Sequence, residues 1–183
     1  MTLLDYANWV PLPAALGAAA PLTSFTAPDG EVWVAKGGVN GGQWRKARDV
    51  LRVKACRQAA YNLGTAAVAM PWDLSIYDDY GLRSGSNFTA PIAGWWRMHT
   101  QVGAAATASG QYQAGTIVFG SSTAVRTNQY MFAATNFYMH MSGIFRCNAG
   151  DVCYSTQYAS AAMVMVPTSY DSYAEFEYLG SYT

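Results

Sequence analysis

The fold class of this 183-residue chain is decided by one stretch, Phe88-Thr89-Ala90-Pro91-Ile92-Ala93-Gly94-Trp95-Trp96. Phe88 ends a predicted strand, Pro91 and Gly94 mark a turn, and the paired tryptophans begin a new strand, because proline and glycine interrupt regular structure. A second forced turn stands at Gly150-Asp151, and the run after it alternates apolar and polar residues. Both turns therefore join neighbouring strands.

Alternation with a period of two dominates the chain after Val50, and no helical period is found. Leu51, Val53 and Ala55 fall on one face of the first predicted strand, and the alternate residues fall on the other. A broken pair of strands is predicted within 61–79. Further strands are predicted at 95–105, 115–119, 130–134, 137–141, 144–147, 152–158, 162–166 and 173–179. Short strands with frequent turns predict an all-β antiparallel sandwich.

Charge is scarce in this chain. Charged residues make up 12 % and hydrophobic residues 51 % of the sequence, whereas an average soluble domain has about 25 % charged residues. With 13 tyrosines, a monomer of this composition exposes broad semi-apolar patches, which mark subunit or partner interfaces. We therefore expect an obligate oligomer.

Basic residues cluster between positions 36 and 57, where Asp49 is the single acid. The cluster consists of Lys36, Arg45, Lys46, Arg48, Arg52, Lys54 and Arg57. The formal net charge of the chain is nevertheless zero, whereas nucleic-acid-binding domains carry a strong positive balance. We therefore expect no nucleic-acid binding. A solvated strand face is the preferred interpretation, and an acidic protein partner is the alternative.

Residues 1–48 are predicted to form an anchoring segment ahead of a main domain at 49–183. Residues 12–22 are rich in alanine, but no Lys or Arg precedes them and three prolines interrupt the region, so neither a signal peptide nor a membrane span is predicted. Trp9, Leu12 and Leu16 give an extended arm apolar groups to bury on a larger assembly. A disordered tail is the alternative.

A short hairpin is predicted in the same segment, with strands at 31–36 and 43–47 around a glycine-rich loop. The loop lacks the Lys-Ser/Thr ending of a phosphate-binding loop. We expect the hairpin to pair with an adjoining chain or with the main domain. Its candidate anchoring residues are Trp33, Trp44, Arg45, Lys46 and Arg48.

The acidic and histidine residues do not form a recognisable catalytic pattern. His99 and His140 fall in strands, away from any nucleophile motif. Asp78-Asp79 fits a turn cap better than a calcium site. Glu175 and Glu177 share a strand face, but no third carboxylate or basic partner is evident for glycoside hydrolysis. We expect no enzymatic activity, no cofactor and no metal.

The cysteines Cys56, Cys147 and Cys153 show neither metal-ligand spacing nor an even disulfide framework. They are predicted to be free thiols. Because Cys147 and Cys153 flank the Gly150-Asp151 turn, a disulfide between them is the alternative.

The order of these motifs over residues 50–183 resembles the globular head of complement and the jelly rolls of the tumour-necrosis-factor type. Phe88 matches the aromatic before the family's Pro-Gly turn, Trp96 the aromatic that enters the core, and Gly150-Asp151 the pair before an apolar strand. The resemblance implies a ten-strand jelly roll that assembles as a homotrimer. Where the family places a small residue after the aromatic of its closing strand, this chain has Glu177 after Phe176.

The collagen-like Gly-X-Y stalk of the animal proteins is absent from this sequence. Such a head with a short N-terminal anchor and an Ala/Gly/Thr-rich composition resembles bacteriophage structural proteins, an inference by analogy. The expected function is a trimeric head that attaches to capsid or tail proteins on the virion surface after assembly in the host cytoplasm. No membrane partner is expected. We favour a capsid decoration or head fibre over a minor tail protein, because the chain is too short for a fibre shaft.

Aromatic residues support the alternative function, a tail-associated adhesin that recognises a bacterial surface glycan. Several strands carry tyrosines and tryptophans that can stack on sugar rings. About half of these alternate residues are expected to face inward. The best candidates for an exposed ligand contact are Tyr170 and Tyr173, in a predicted loop at 170–173.

Overall fold

The computed structural model describes residues 4–5, 10–11, 23–27, 29–35, 44–105, 110–120, 122–130, 136–168 and 171–182. Its N-terminal strands are β1 (Leu4–Asp5), β2 (Val10–Pro11), β3 (Ser24–Thr26), β4 (Val32–Ala35) and β5 (Trp44–Lys46), followed by a helix, α1 (Ala47–Val50). The next strands are β6 (Arg52–Cys56), β7 (Asn62–Leu63), β8 (Val68–Ala69), β9 (Leu74–Tyr77), β10 (Arg83–Ser84) and β11 (Asn87–Thr89). The remaining strands are β12 (Gly94–Ala105), β13 (Tyr112–Phe119), β14 (Ser122–Tyr130), β15 (Asn136–Cys147), β16 (Val152–Ala159), β17 (Met163–Met165) and β18 (Ser172–Gly180).

Two antiparallel sheets carry the main body of the protein. The six-stranded sheet has the order β10-β11-β16-β13-β14, with β8 also paired to β16. The seven-stranded sheet has the order β7-β17-β12-β18-β6-β9. Strands β17 and β18 pair with successive parts of one edge of β12, and β15 pairs with the opposite edge. This arrangement confirms the predicted antiparallel all-β sandwich, although it also contains the four-residue helix α1, which the sequence did not predict.

The core between the two sheets is built on aromatic side chains, two of which come from the motif at 88–96. Trp96 and Phe88 are fully buried. The Trp96 ring stacks on Phe176 with ring centroids 4.6 Å apart, and its indole Nε1 donates to the Ile92 carbonyl at 3.1 Å. The turn residues and the closing strand are thereby tied to one buried ring.

Gly94 occupies a position that only glycine fits. Its φ is +154°, and a β-carbon there would meet the Tyr178 ring and lie 2.5 Å from the Gly180 carbonyl oxygen. The close approach follows from a β-bulge between β12 and β18 at Trp95 and Trp96. A side chain at position 94 would push the closing strand away from β12.

The two turns identified in the sequence lie against each other. The Ala90 amide donates to the Asp151 carbonyl at 2.9 Å, and the Gly150 amide donates to the Ala90 carbonyl at 2.7 Å. Gly150 has a φ of +90°, and the Asp151 carboxylate accepts the Asn148 amide at 2.7 Å. Pro91 is half-buried beside them.

A separate three-stranded sheet, β3-β4-β5, precedes the sandwich. The pairing of β4 with β5 confirms the predicted hairpin. Val32 and Val34 on one face of this sheet join the core of the main body, so the hairpin packs on the domain that follows it. Trp9, Leu12 and Leu16 lie outside the described residues.

Several strand boundaries differ from the prediction. The strands predicted at 137–141 and 144–147 are one continuous strand, β15. Gly143 interrupts the apolar alternation there because a β-carbon would collide with the Phe145 ring. The strand β14 was not predicted, and residues 131–134 of the strand predicted at 130–134 lie outside the described residues.

The three cysteines are free and buried, as preferred from the sequence. The Cys153 thiol lies 3.0 Å from the Met98 sulfur in the core. Burial raises the pKa of Cys147 to about 12 and also raises that of Cys153. The alternative disulfide between Cys147 and Cys153 is therefore wrong in this structure.

Candidate functional site

Exposed apolar side chains are concentrated on one sheet. Among the described residues, all eight exposed large hydrophobic side chains belong to strands of the seven-stranded sheet. They are Leu74, Ile76, Tyr77, Trp95, Tyr138, Ile144, Val164 and Leu179. Ile144, with 57 % of its surface exposed, has the largest exposed fraction of the eight. These side chains lie on the face of this sheet that points away from the core, hereafter the outer face. Such a one-sided distribution is typical of surfaces that associate with a partner.

Charged residues on the outer face are paired across strands. Glu177 of β18 lies between Arg97 of β12 and Arg52 of β6 in the register of the sheet, and its carboxylate accepts hydrogen bonds from Arg97. Two residues before Glu177 on β18, the Glu175 Oε1 lies 2.9 Å from the Lys54 Nζ. Glu177, the departure from the small residue of the resembled family, therefore has its charge compensated within the protomer.

The centre of the outer face is a cluster of histidine, tyrosine and lysine. The His99 Nε2 lies 3.2 Å from the Tyr173 Oη, and the His99 and His140 rings are 6.1 Å apart between centroids. The Lys54 ammonium lies over the Tyr173 ring, 4.1 Å from its centroid. Cross-strand pairs of this kind stabilise a sheet and hold its side chains in fixed positions.

The protonation states in this cluster follow from burial and neighbouring charges. Burial lowers the pKa of His99, and the charges of His140, Arg97 and Lys54 lower it further, against the opposing effect of Glu175. Burial also opposes the charged form of Lys54, but the hydrogen bond and charge of Glu175 outweigh it and raise the pKa of Lys54. His99 is therefore neutral and Lys54 charged at neutral pH.

One end of the outer face carries an aromatic and cationic group. Trp95 is exposed and packs edge-on against the Tyr182 ring, with ring centroids 6.4 Å apart. The Arg146 guanidinium lies 3.8 Å from the centroid of the same tyrosine ring. The sequence motif around Trp95 and Trp96 thus supplies one ring to the core and one to the surface.

The basic cluster of the sequence is divided among ion pairs within the chain. Lys46 and Arg48 both lie near the Glu31 carboxylate, at 3.9 and 3.0 Å. Arg57 pairs with Asp73 at 3.3 Å, and Arg52 lies over the Tyr77 ring. Lys36 lies outside the described residues. This distribution gives the described cations local partners rather than one continuous basic face.

The candidate anchoring residues of the hairpin differ in burial. Trp33 is buried, and Trp44 is half-buried with its ring against Phe25 at 5.2 Å. Among the described residues, no hydrogen-bond partner is found for the buried indole N–H groups of Trp33 and Trp44. Lys46 covers the Trp33 ring, whereas Arg45 and Arg48 are exposed.

The predicted ligand-contact loop at 170–173 is wrong at Ser172, whereas Tyr173 lies in the strand predicted at 173–179. Ser172 and Tyr173 belong to β18, and Tyr173 is half-buried in the histidine cluster. The loop prediction failed because Asp171 and Ser172 are typical turn residues, but the Ser172 hydroxyl donates to the Val166 carbonyl and is buried in the sandwich. Tyr170 lies outside the described residues.

His140 and Ile144 were not selected from the sequence as functional residues, and Tyr138 was considered only among the strand aromatics that can stack on sugar rings. A signal was present, because every second residue of 136–146 is exposed and these three share one face of β15. The Gly143 interruption concealed this continuity by dividing β15 into two predicted strands.

No helix among the described residues has the length and apolar character needed to cross a membrane. Within the same residues, no group of three or more His, Cys, Asp or Glu side chains is placed to hold a metal ion. The Asp78 carboxylate instead accepts the Leu82 and Arg83 amides at 2.6 and 3.0 Å, which confirms the predicted turn cap.

Comparison with solved structures identifies the sandwich as a jelly roll of the tumour-necrosis-factor and complement-head type. The globular domain of zebrafish complement 1qA matches with a TM-score of 0.56 and 6 % identity, over 72 % of this chain and 99 % of that one. Murine APRIL at pH 5.0 matches with a TM-score of 0.54 and 14 % identity, over 70 % and 98 %. Eiger TNF from S. frugiperda matches with a TM-score of 0.53 and 8 % identity, over 73 % and 94 %.

No family model and no curated protein matches the sequence. At these low identities the structural matches establish the fold alone. The predicted jelly-roll class is thereby confirmed.

Proposed function

We propose that this chain is a non-enzymatic structural protein of a bacteriophage particle. It forms a homotrimeric jelly-roll head that is attached to the virion surface through its N-terminal part, as a capsid decoration or head fibre. The observation that carries the assembly is the location of all eight exposed large hydrophobic side chains of the described residues on the seven-stranded sheet.

Other copies of this chain are the partner that best fits the outer face. The face combines exposed apolar groups such as Ile144 and Tyr138 with two ion pairs that are formed within the protomer, Lys54–Glu175 and Arg97–Glu177. Interfaces between identical subunits are more apolar than other protein surfaces. A threefold arrangement is proposed because the structural neighbours belong to a fold type that forms homotrimers.

Attachment is proposed to use the three-stranded sheet β3-β4-β5. This sheet is fixed on the head by Val32 and Val34, while its other face carries Phe25, Trp33 and Trp44. Because the sheet is packed on the head, a partner that binds it would orient the whole trimer. Arg45 and Arg48 are exposed beside it, and Arg48 is already paired with Glu31 within the chain.

A tail-associated adhesin is the second candidate, and it is favoured by the other side of the sandwich. The solvent-facing residues of β13 and β16 include Tyr112, Thr116, Tyr154, Thr156 and Tyr158, and neither strand contains a charged residue. The Thr116 and Thr156 hydroxyls are hydrogen-bonded at 2.5 Å, and the Tyr112 and Tyr158 rings pack edge-on. Neutral tyrosine and threonine surfaces can stack on sugar rings and bond to their hydroxyls.

The test uses particles purified from the phage that encodes this chain. We expect the chain to co-purify with particles after density-gradient centrifugation. A gold-labelled antibody against the chain is expected to mark the phage capsid. Labelling at the tail, together with glycan-array binding by the full-length chain, would favour the adhesin. Absence of the chain from purified particles would contradict both candidates.

A further inference from the structure

Both histidines of the chain lie together in the centre of the outer face. His99 is on β12 and His140 is on the adjacent strand β15, where it is paired in register with Gln101. Their ring centroids are 6.1 Å apart. Histidine is the side chain whose charge ordinarily changes between about pH 5 and 8. A positive charge on His140 disfavours a proton on His99.

The charged neighbours of these rings come from every strand around them. Strand β12 contributes Arg97, β6 contributes Lys54, and β18 contributes Glu175 and the Tyr173 hydroxyl. Strand β15 contributes Tyr138, two residues before His140 on the same face. On β9, Tyr77 is paired in register with Lys54. The cluster therefore holds two permanent cations beside the two histidines.

The carboxylates that could balance a histidinium are already engaged. The Glu175 Oε1 lies 2.9 Å from the Lys54 Nζ, and Glu177 accepts hydrogen bonds from Arg97. A proton on either ring therefore adds a positive charge to a cluster whose existing charges are compensated. Burial already lowers the pKa of His99 in the single protomer.

We infer that protonation of His99 and His140 loosens the trimer, so that assembly through the outer face is controlled by pH. This inference rests on the proposed self-association of that face. Covering the face with a neighbouring protomer removes water from both rings, which disfavours their charged forms. Trimers are then most stable at neutral pH and weaken as the pH falls, because the separated protomers bind more protons. For His99 this range lies below the ordinary histidine pKa of about 6.5, since its pKa is already lowered in the protomer.

The magnitude follows from the number of rings. A pKa difference of one unit between the separated and assembled states changes the association constant by up to about tenfold for each histidine. A trimer contains three copies of each histidine ring. The effect of acidification on the protomer concentration at half-dissociation is therefore expected to be about tenfold or more.

The test is sedimentation velocity of the full-length chain over a dilution series at constant ionic strength, at about pH 7.5, 6.5 and 5.5. We expect the half-dissociation concentration to rise by about tenfold or more at the lowest pH, while circular dichroism shows an unchanged fold. The double variant His99→Gln/His140→Gln is expected to form trimers with a half-dissociation concentration that does not depend on pH. If dilution does not separate the subunits, the rate of subunit exchange between labelled trimers is the readout and is expected to rise similarly.

A second variant keeps the test decisive if the double variant does not fold. His140 is exposed in the protomer, so His140→Gln alone retains the fold and is expected to remove part of the pH dependence. Trimers whose dissociation and exchange do not change with pH, or a pH response that is the same in the wild type and in both histidine variants, would overturn this inference alone. A chain that is monomeric already at neutral pH would overturn both the inference and the proposed self-association.

Discussion

Trp96 and Phe176 stack at the centre of the sandwich, with ring centroids 4.6 Å apart and ring planes at 15°. Trp96 comes from the motif that opens a central strand, and Phe176 comes from the last strand of the chain. Tyr178 packs edge-on against the same tryptophan at 5.3 Å. The central strand β12 and the closing strand β18 are therefore joined through one indole ring.

Replacement of this indole is expected to destabilise the fold strongly. Trp96→Ala removes a fully buried ring and leaves a cavity, for which a loss of about 3–5 kcal/mol in the free energy of unfolding is expected. Trp96→Phe retains a stacking ring but loses the hydrogen bond to the Ile92 carbonyl, so its loss is expected to be smaller. Urea denaturation followed by tryptophan fluorescence and circular dichroism measures both. Equal, negligible losses would contradict this account of the core.

Asp73 is expected to hold the segment that follows β6 against the start of β9. Its carboxylate accepts the Gln58 and Ala59 amides at 2.8 and 3.0 Å and pairs with Arg57. Asp73→Asn places an amide group against one of these donors, and because both hydrogen bonds are exposed, a loss of about 0.5–1.5 kcal/mol is expected. Asp79→Asn, at an exposed turn position, is the matched control and is expected to change little.

The effect of Asp73→Asn is expected to depend on pH. Burial opposes the charged form of Asp73, but the two amide hydrogen bonds and Arg57 outweigh it and lower the pKa of this carboxyl. Its contribution is therefore present above the unfolded pKa of about 3.9 and is lost as the pH falls through the lower folded value. A difference between variant and wild type that persists unchanged in strong acid would contradict the assigned role.

Ile144 tests the association surface directly. This side chain is 57 % exposed in the protomer, so Ile144→Asp is expected to leave the fold intact. If the outer face is covered in the assembly, the buried carboxylate prevents association, and light scattering gives the mass of a monomer. Asn87→Asp adds the same charge at an exposed position of the six-stranded sheet and is expected to remain trimeric. Loss of assembly in both variants, or in neither, would argue against this surface.

The cysteines are expected to be protected by burial rather than by a disulfide. All three are free and buried, and burial raises the pKa of Cys147 to about 12. Because the thiolate is the reactive form, a thiol reagent at about pH 8 is expected to label none of them in the folded protein. In guanidinium chloride without a reductant, all three are expected to react. Recovery of only one reactive thiol would show that a disulfide had formed.

The sequence was sufficient to predict the fold class because the decisive signals were local. Pro91, Gly94 and Gly150 interrupt the chain by their own stereochemistry, and the alternation of Leu51, Val53 and Ala55 is read directly from their order. The association surface was not predictable in the same way. Glu177 and His99 acquire their surroundings from β6 and β15, which are distant in sequence, and the register that joins them is fixed by the packing of the whole sheet.

The most direct test of the central claim is the solution mass of the full-length chain, measured by light scattering at neutral pH over a wide dilution range. Because Val32 and Val34 contribute to the main core, the complete chain is used rather than the domain predicted at 49–183. The account predicts the mass of three 19.8 kDa protomers, with assembly lost in Ile144→Asp. A folded monomer throughout the dilution series would contradict it.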